Sequence, residues 1–161
     1  MKRFVYLISP DKINKNFYQN LDKVLSFKNL KFFQKKKKNL QPNKLLTIAT
    51  KVKKITYKHK VKLIINDNFR LAFKIKADGC HLGQSDGPIK IARKKINNIL
   101  GVTCHNSKIL AGNAIKDKVD YIAFGSFFKS KLKPNAIKAN LSILKWAKKE
   151  IKKPIVVIGG I

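Results

Sequence analysis

The sequence is poor in acidic residues and cysteine and has no long apolar run, and each shortage excludes a class of protein. It contains 8 Asp and Glu against 37 Lys and Arg, and 2 cysteines among 161 residues. Cys80 and Cys104 each lie in a short apolar run without C-x-x-C spacing, so we expect reduced, buried thiols rather than a disulfide framework or a zinc site. No apolar run reaches the length of about 18 residues that a membrane helix needs, and Phe4–Ile8 is too short for a signal peptide. We therefore predict a cytoplasmic protein with no membrane partner.

The formal net charge of +29 has two interpretations. A polyanion such as nucleic acid would bind a chain of this charge. Alternatively, AT-rich codons produce the same excess of Lys, Asn and Ile without any selection for binding. Lys is spread over nearly every predicted helix, and Arg, the residue that most often reads bases, occurs only at Arg3, Arg70 and Arg93. We therefore do not expect nucleic acid as a partner, and we expect the charge to attract small anionic substrates.

Short apolar runs alternate with segments of helical periodicity along the whole chain. Strict alternation indicates βα units, in a doubly wound sheet or a (β/α)8 barrel. The even spacing, and the polar residues that follow nearly every strand, favour the barrel. The predicted strands are Phe4–Ile8, Leu30–Phe33, Lys62–Ile65, Cys80–Leu82, Ile99–Thr103, Tyr121–Phe124 and Pro154–Ile158.

Cap signals predict where several of the helices begin. Ser9-Pro10-Asp11 indicates the start of the first helix, whose apolar face begins at Ile13. Pro42 opens the second helix, and Asn106-Ser107 caps the fifth. The apolar face of the last helix begins at Ile137.

The predicted architecture is incomplete. No long linker or change of composition divides the chain, so we expect residues 1–161 to form a single domain. A (β/α)8 barrel needs an eighth strand, and the chain stops at Gly159-Gly160-Ile161 without one. We therefore predict an α/β TIM barrel with seven strands present and the eighth missing by C-terminal truncation.

Two aspartates follow neighbouring predicted strands. Asp67 comes directly after the third strand, and Asp86 comes four residues after the fourth. Because the carboxyl ends of parallel strands share one edge of a sheet, we expect the two carboxylates to meet. A helix cap or a turn would be the ordinary explanation of either residue alone. Two carboxylates in so basic a chain predict a Mg²⁺ site.

Other polar residues at the strand ends suit phosphate groups. Alternation places Gln34, Lys36 and Lys38 on one side of an extended chain, where an amide and two ammonium groups could bind phosphate oxygens. The alternative is a solvated run of lysines. We interpret His105 as a structural hydrogen-bonding residue rather than a catalyst, and we find no Ser–His–Asp or Cys–His arrangement. The amides of Gly159-Gly160 could approach a phosphate, as often happens late in a barrel.

Five segments together resemble the thiamine phosphate synthase family. Their order and spacing match across nearly the whole chain, and the Asn66-Asp67 pair followed by His81–Asp86 is the most specific part. The family is a (β/α)8 barrel that joins an aminopyrimidine methyl pyrophosphate to a thiazole phosphate, giving thiamine phosphate and pyrophosphate. The segments are LIIND (63–67), ADGCHLGQSD (77–86), ILGVTCHN (99–106), DYIAFGSFF (120–128) and PIVVIGGI (154–161).

The resemblance implies a role for particular residues of this chain. It implies that Asp67 and Asp86 hold Mg²⁺, that the partners are small-molecule phosphate and pyrophosphate substrates, and that no protein nucleophile is needed. It leaves a homo-oligomer open. The residues implied to bind the pyrimidine pyrophosphate are Gln34, Lys35, Lys36, Lys37, Lys38, Asn66, Thr103 and Lys133. Those implied to bind the thiazole phosphate are Ser130, Lys131, Leu132 and Gly160.

Three departures from the resembled pattern keep two alternatives open. Lys36 stands where the family has Arg, which removes a bidentate phosphate contact. Lys35 stands where the family has an apolar residue, and Leu132 stands where it usually has Thr. The alternatives are a paralogue similar to thiazole tautomerase, which does not use a pyrophosphate substrate, and a truncated or decayed basic binding protein without catalytic activity. The presence of both Asp67 and Asp86 favours the synthase.

Overall fold

The computed structural model describes residues 4–10, 13–36, 41–128 and 136–160. Within these ranges seven strands alternate with six helices, in the order that the sequence predicts. No helix among the described residues is long and apolar enough to cross a membrane. The elements are β1 (Val5–Ile8), α1 (Phe17–Val24), β2 (Leu30–Lys35), α2 (Pro42–Lys58), β3 (Lys62–Asn66), α3 (Phe69–Lys74), β4 (Gly79–Leu82), α4 (Ile89–Lys95), β5 (Ile99–His105), α5 (Lys108–Lys116), β6 (Tyr121–Phe124), α6 (Leu141–Glu150) and β7 (Ile155–Val157).

The first of two compact units spans Met1–His81. Here β1 pairs with β2, β2 with β3, and β3 with β4, all in parallel. Parallel strands covered by helices are buried on both faces, which is why they are continuous apolar runs in the sequence. Phe33, Leu63, Ile64 and Ile65 are at most 2% exposed. Burying each such side chain contributes about 1.5–3 kcal/mol, so these strands are firm supports for the residues at their ends.

The second unit spans Leu82–Ile161. In it β5 pairs with β6 and β6 with β7, again in parallel. The strand residues Leu100, Val102, Ile122 and Phe124 are fully buried. The loops that follow these strands are therefore anchored at rigid, buried strand ends.

An aspartate fixes the amino ends of the strands in each unit. In the first unit, Asp78 accepts hydrogen bonds from the Leu63 N–H at 2.9 Å and from the Lys62 ammonium at 2.9 Å. In the second unit, Asp120 accepts from the Leu100 N–H at 2.8 Å and from the Arg93 guanidinium at 2.7 Å. Each carboxylate therefore holds the first residues of a strand in register, at the edge that (β/α) proteins use for stability.

Two strands continue two residues past their predicted ends, whereas the other differences in strand bounds are of one residue. β2 continues to Lys35, two residues past its predicted end, because Gln34 and Lys35 pair with Ile64 and Ile65. Pairing with a neighbouring strand thus overrides the polar composition of the segment. β5 likewise continues to His105, whose φ of 51° accompanies an irregularity in its pairing with β6.

Two predicted helix starts are wrong, and one cap is confirmed. α1 begins at Phe17 rather than after Ser9-Pro10-Asp11, of which Asp11 lies outside the described residues. The Ser9 N–H donates to the Gln34 carbonyl at 2.9 Å, so Ser9 extends the pairing of β1. α6 begins at Leu141 rather than at Ile137, because the Asn140 side chain accepts the Ile143 N–H at 3.2 Å. Ser107 caps α5 as predicted, by accepting the Leu110 N–H at 3.2 Å.

Candidate active site

Two amides meet at the carboxyl ends of β2 and β3. The Gln34 Nε2 donates a hydrogen bond to the Asn66 Oδ1. Gln34 is 7% exposed and Asn66 is half-buried, so the pair is partly shielded from water. Because β2 and β3 are parallel neighbours, the sequence separation of the two residues does not keep them apart. Both residues were predicted to bind the pyrimidine pyrophosphate, and the fold brings them into contact.

Both main-chain polar groups of Lys36 are hydrogen-bonded to side chains. Its N–H donates to the Ser9 Oγ at 3.0 Å, and its carbonyl accepts from the Lys35 ammonium at 2.7 Å. Ser9 is 2% exposed and lies just after β1. The sequence interpretation missed Ser9 as a site residue. Its position directly after the first apolar strand is the signal that could have found it, because that position belongs to the same edge as Gln34 and Asn66.

Asp67 is not the cap of the helix that follows it. The Asn68 side chain fills that role by accepting the Leu71 N–H at 2.9 Å. Asp67 itself has a left-handed backbone with φ of 62°, and its N–H donates to the His81 carbonyl at 2.8 Å. A left-handed conformation at a residue other than Gly is uncommon and concentrates at functional sites. This geometry leaves the prediction of a metal ligand at Asp67 in place.

Asp86 closes a turn in the second unit. Its Oδ2 accepts the Gly83 N–H at 2.7 Å, so the turn explanation applies to one of its carboxylate oxygens. The same loop is tied to β5, because the Gln84 Nε2 donates to the Thr103 carbonyl at 2.6 Å. Asp86 and Thr103 are therefore both held at the ends of strands, as the sequence predicts.

The glycines after β7 pack against the segment after β6. The Phe128 N–H donates to the Gly159 carbonyl at 3.0 Å. A Cβ on Gly159 would lie 2.3 Å from the Ser126 Oγ, and one on Gly160 would lie 2.6 Å from the Phe128 Cβ. The backbone φ values of +93° and +74° also favour glycine. Close packing therefore explains both glycines, beside the predicted contact of Gly160 with phosphate.

Several predicted site residues lie outside the described residues. They are Lys37 and Lys38 of the pyrimidine pyrophosphate set, together with Ser130, Lys131, Leu132 and Lys133. Their roles stay predictions.

The predicted donor set favours a hard cation. Within the described ranges, no three His, Cys, Asp or Glu side chains form a metal-binding group. The predicted ligands Asp67 and Asp86 offer carboxylate oxygens, and Mg²⁺ is typically bound by one or two carboxylates with substrate phosphates completing its coordination. Burial raises the pKa of the Cys104 thiol to about 12, so this thiol stays protonated at neutral pH. The buried, protonated Cys104 thiol is therefore not a nucleophile.

Parallel βα units with polar side chains after their strands are the layout of the (β/α) barrel class of enzymes. The chain belongs to the thiamine monophosphate synthase family, whose model matches residues 5–161.

Curated relatives and a solved structure agree with this family. The chain is 55% identical to the thiamine-phosphate synthase of Pelagibacter ubique, across 99% of this chain and 78% of that protein. It is 38% identical to the thiamine-phosphate synthase of Erythrobacter litoralis, across 98% of this chain and 76% of that protein. The thiamine phosphate pyrophosphorylase structure from Pyrococcus furiosus matches with a TM-score of 0.86 and 26% identity, over 98% of this chain and 75% of that one.

These similarities confirm the predicted family and the predicted fold class. The fold is an α/β barrel fold of the TIM type, and the described residues contain seven of its strands and no eighth. The chain is an enzyme of a transferase family.

Proposed function

We propose that this chain joins the aminopyrimidine methyl pyrophosphate to the thiazole phosphate, giving thiamine phosphate and pyrophosphate. The observation that supports it most is the group at the carboxyl ends of β2 and β3. There the Gln34–Asn66 amide pair, the fixed main chain of Lys36 and the left-handed Asp67 lie at the ends of adjoining strands. Amide donors, an ammonium group and a carboxylate are what a Mg²⁺-pyrophosphate group requires.

The residues act by binding and by electrostatic stabilisation. Asp67 and Asp86 would hold Mg²⁺, which supplies positive charge to the pyrophosphate oxygens. The ammonium groups of Lys36 and its neighbours neutralise the negative charge that grows on the leaving pyrophosphate. Gln34, Asn66 and Thr103 orient the pyrimidine substrate, together with Lys37, Lys38 and Lys133.

The second substrate needs only to be held in place. Ser130, Lys131, Leu132 and Gly160 bind the thiazole phosphate, so that the thiazole nitrogen lies close to the methylene carbon that loses pyrophosphate. The departing group leaves a cation that the electron-rich pyrimidine stabilises, and the nitrogen attacks that cation. The chain therefore needs no nucleophile of its own, which agrees with the protonated Cys104 thiol.

The substrates are small-molecule phosphates. We expect a cytoplasmic location, because two cysteines without a disulfide framework are typical of a protein from a reducing compartment. The relatives from Pelagibacter ubique and Erythrobacter litoralis are named synthases, which favours this reaction over that of a tautomerase-like paralogue. A decayed basic binding protein would bind nucleic acid with steep salt dependence instead of binding the pyrimidine pyrophosphate.

Calorimetric titration with the pyrimidine pyrophosphate, with and without Mg²⁺, tests the proposal. We expect binding that requires Mg²⁺ and is lost in Asp67→Asn. Asp117→Asn is the matched control, because it removes the same charge from the residue that follows α5, in the segment that precedes β6 rather than after a strand. A folded wild-type chain that shows no Mg²⁺-dependent binding would contradict the proposal.

A further inference from the structure

Lys35 is a lysine in the core. It is 2% exposed and ranks among the largest fully buried side chains. It is the one lysine among the buried polar residues of the part of the chain that the structure describes. Lysine is almost never fully buried without a partner for its charge, because removing an ammonium group from water is costly. A buried lysine at the end of β2 therefore requires an explanation.

The stem of Lys35 is packed between the sheet and the helices. It lines a narrow crevice with Leu45 of α2, Ile65 of β3 and Leu71 of α3. Lys35 is in register with Ile65, which is itself 2% exposed. The ammonium group leaves these apolar neighbours and donates to the Lys36 carbonyl at 2.7 Å. The side chain is thus amphipathic, with its apolar part in the core and its charge at the strand end.

Ser9 binds the N–H of Lys36, the residue whose carbonyl accepts from Lys35. Its Oγ accepts the Lys36 N–H at 3.0 Å, and its own N–H donates to the Gln34 carbonyl at 2.9 Å. Ser9 is also 2% exposed. Two buried side chains from different elements therefore fix the N–H and the carbonyl of Lys36. This is the arrangement of a supporting shell that fixes the geometry of a binding residue.

We propose that Lys35 and Ser9 are positioning residues that preorganise Lys36 for an anionic pyrophosphate group. This inference rests on the proposed function and refines it, because it gives Lys35 an indirect role in place of the direct contact that the resemblance implies. Fixing the main chain before the ligand arrives reduces the ordering cost of binding. The buried ammonium group also places a positive charge 2.7 Å from the Lys36 carbonyl, next to the residue proposed to bind the anion.

The energetics of a buried charge separate this role from a merely structural one. Replacing a buried ionic group by an apolar side chain of similar size is often neutral or stabilising. Lys35→Met keeps the length of the stem and removes the ammonium group. If Lys35 serves ligand binding, the variant should be as stable as the wild type or more stable, and yet bind pyrophosphate less well. A structural residue would not change the two properties in opposite directions.

The test compares Lys35→Met, Ser9→Ala and Lys31→Met in the full chain. Lys31 is the matched control, since it is an exposed lysine on the same strand. The measurements are calorimetric affinity for inorganic pyrophosphate with Mg²⁺, the KM for the pyrimidine pyrophosphate, kcat, and the urea midpoint of unfolding. For Lys35→Met we expect affinity to fall and KM to rise about tenfold, as for a lost charge-assisted hydrogen bond, with a smaller change in kcat. The urea midpoint should stay or rise, and Lys31→Met should match the wild type.

The outcomes distinguish this inference from the proposed function. A folded wild type that binds no pyrophosphate overturns both. If the wild type binds pyrophosphate and Lys35→Met has the same affinity and the same KM, the positioning role is wrong but the proposed function stands. Ser9→Ala should weaken binding in the same direction, so it tests the inference independently should Lys35→Met fail to fold. Unchanged pyrophosphate affinity in a folded Ser9→Ala variant also overturns it.

Discussion

The two ends of the parallel strands use the same side chain, aspartate, in different ways. At the amino ends, Asp78 and Asp120 each bind a main-chain N–H and a basic side chain at 2.7–2.9 Å. At the carboxyl ends, Asp67 has a left-handed backbone and Asp86 uses one oxygen to close a turn. The residue type alone therefore does not indicate a role, whereas the strand end at which the residue lies does.

The largest effect is expected from Asp67→Asn, which tests the carboxyl end. Asparagine tolerates the left-handed conformation, so the fold should be preserved while the metal-binding charge is lost. Changes in the outer shell of a metal site already cost about 10–100-fold, so we expect kcat/KM to fall at least about 100-fold. Steady-state kinetics with Mg²⁺ and urea unfolding check this. If the variant loses stability in proportion to its loss of activity, Asp67 has a structural role and the proposed metal-binding role is wrong.

Asp120→Ala tests the amino end of the strands. In contrast to Asp67→Asn, it should lower the stability of the fold and leave the activity unchanged. The variant leaves the Leu100 N–H and the Arg93 guanidinium without their shared acceptor, so we expect a loss of about 1–2 kcal/mol in the free energy of unfolding. The kcat/KM of the folded fraction should not change. Asp117→Ala serves as the control for loss of charge. An equal loss of stability in both variants would show that the hydrogen bonds of Asp120 contribute nothing specific.

Backbone strain offers a smaller test of the same comparison. Lys76 precedes β4 and has a φ of 51°, close to the 62° of Asp67. Strain at an amino end serves no ligand, so Lys76→Gly should stabilise the chain by about 1 kcal/mol and leave kcat unchanged. Lys76→Ala should not stabilise it, because alanine retains the Cβ. Urea unfolding of the two variants measures the difference.

The smallest effect is expected from a surface group of the first unit. Hydrogen bonds from His59 and then from Lys58 lower the pKa of Asp22 below its usual 3.8. A lowered carboxyl pKa stabilises the fold above the unfolded-state value, and this contribution is lost as pH falls through the folded-state value. The difference in urea midpoint between wild type and Asp22→Asn should therefore be largest above the unfolded-state pKa and shrink as pH falls below it. A difference independent of pH would contradict this.

The sequence located the strands well because buried parallel strands are apolar runs bounded by polar residues. Tyr121–Phe124 has the same bounds in the prediction and in the fold. The end of β2 could not be predicted, because Gln34 and Lys35 are polar and become strand residues only by pairing with Ile64 and Ile65. The role of Ser9 was missed for a similar reason, since a serine before proline resembles a helix cap until its neighbours in space are known.

The sequence predicts that these polar residues follow the strands, and the fold agrees. The hydrogen bonds and contacts that each residue makes could be found only from the three-dimensional structure. Asn68 and Asp67 are adjacent, and both are good helix caps, so composition could not show that Asn68 caps α3. The glycines at 159 and 160 were interpreted as phosphate-binding amides. Their close approach to Ser126 and Phe128 is a long-range contact that no local pattern reveals.

The burial of the cysteines provides a built-in probe of local opening. Cys80 lies in the first unit and Cys104 in the second, and both are fully buried. An alkylating reagent can modify each thiol only when its surroundings open. Mass spectrometry of the two cysteine-containing peptides would therefore record separate opening rates for the two units in the same sample. The natural sequence thus carries one reporter for each half of the chain, without any added label.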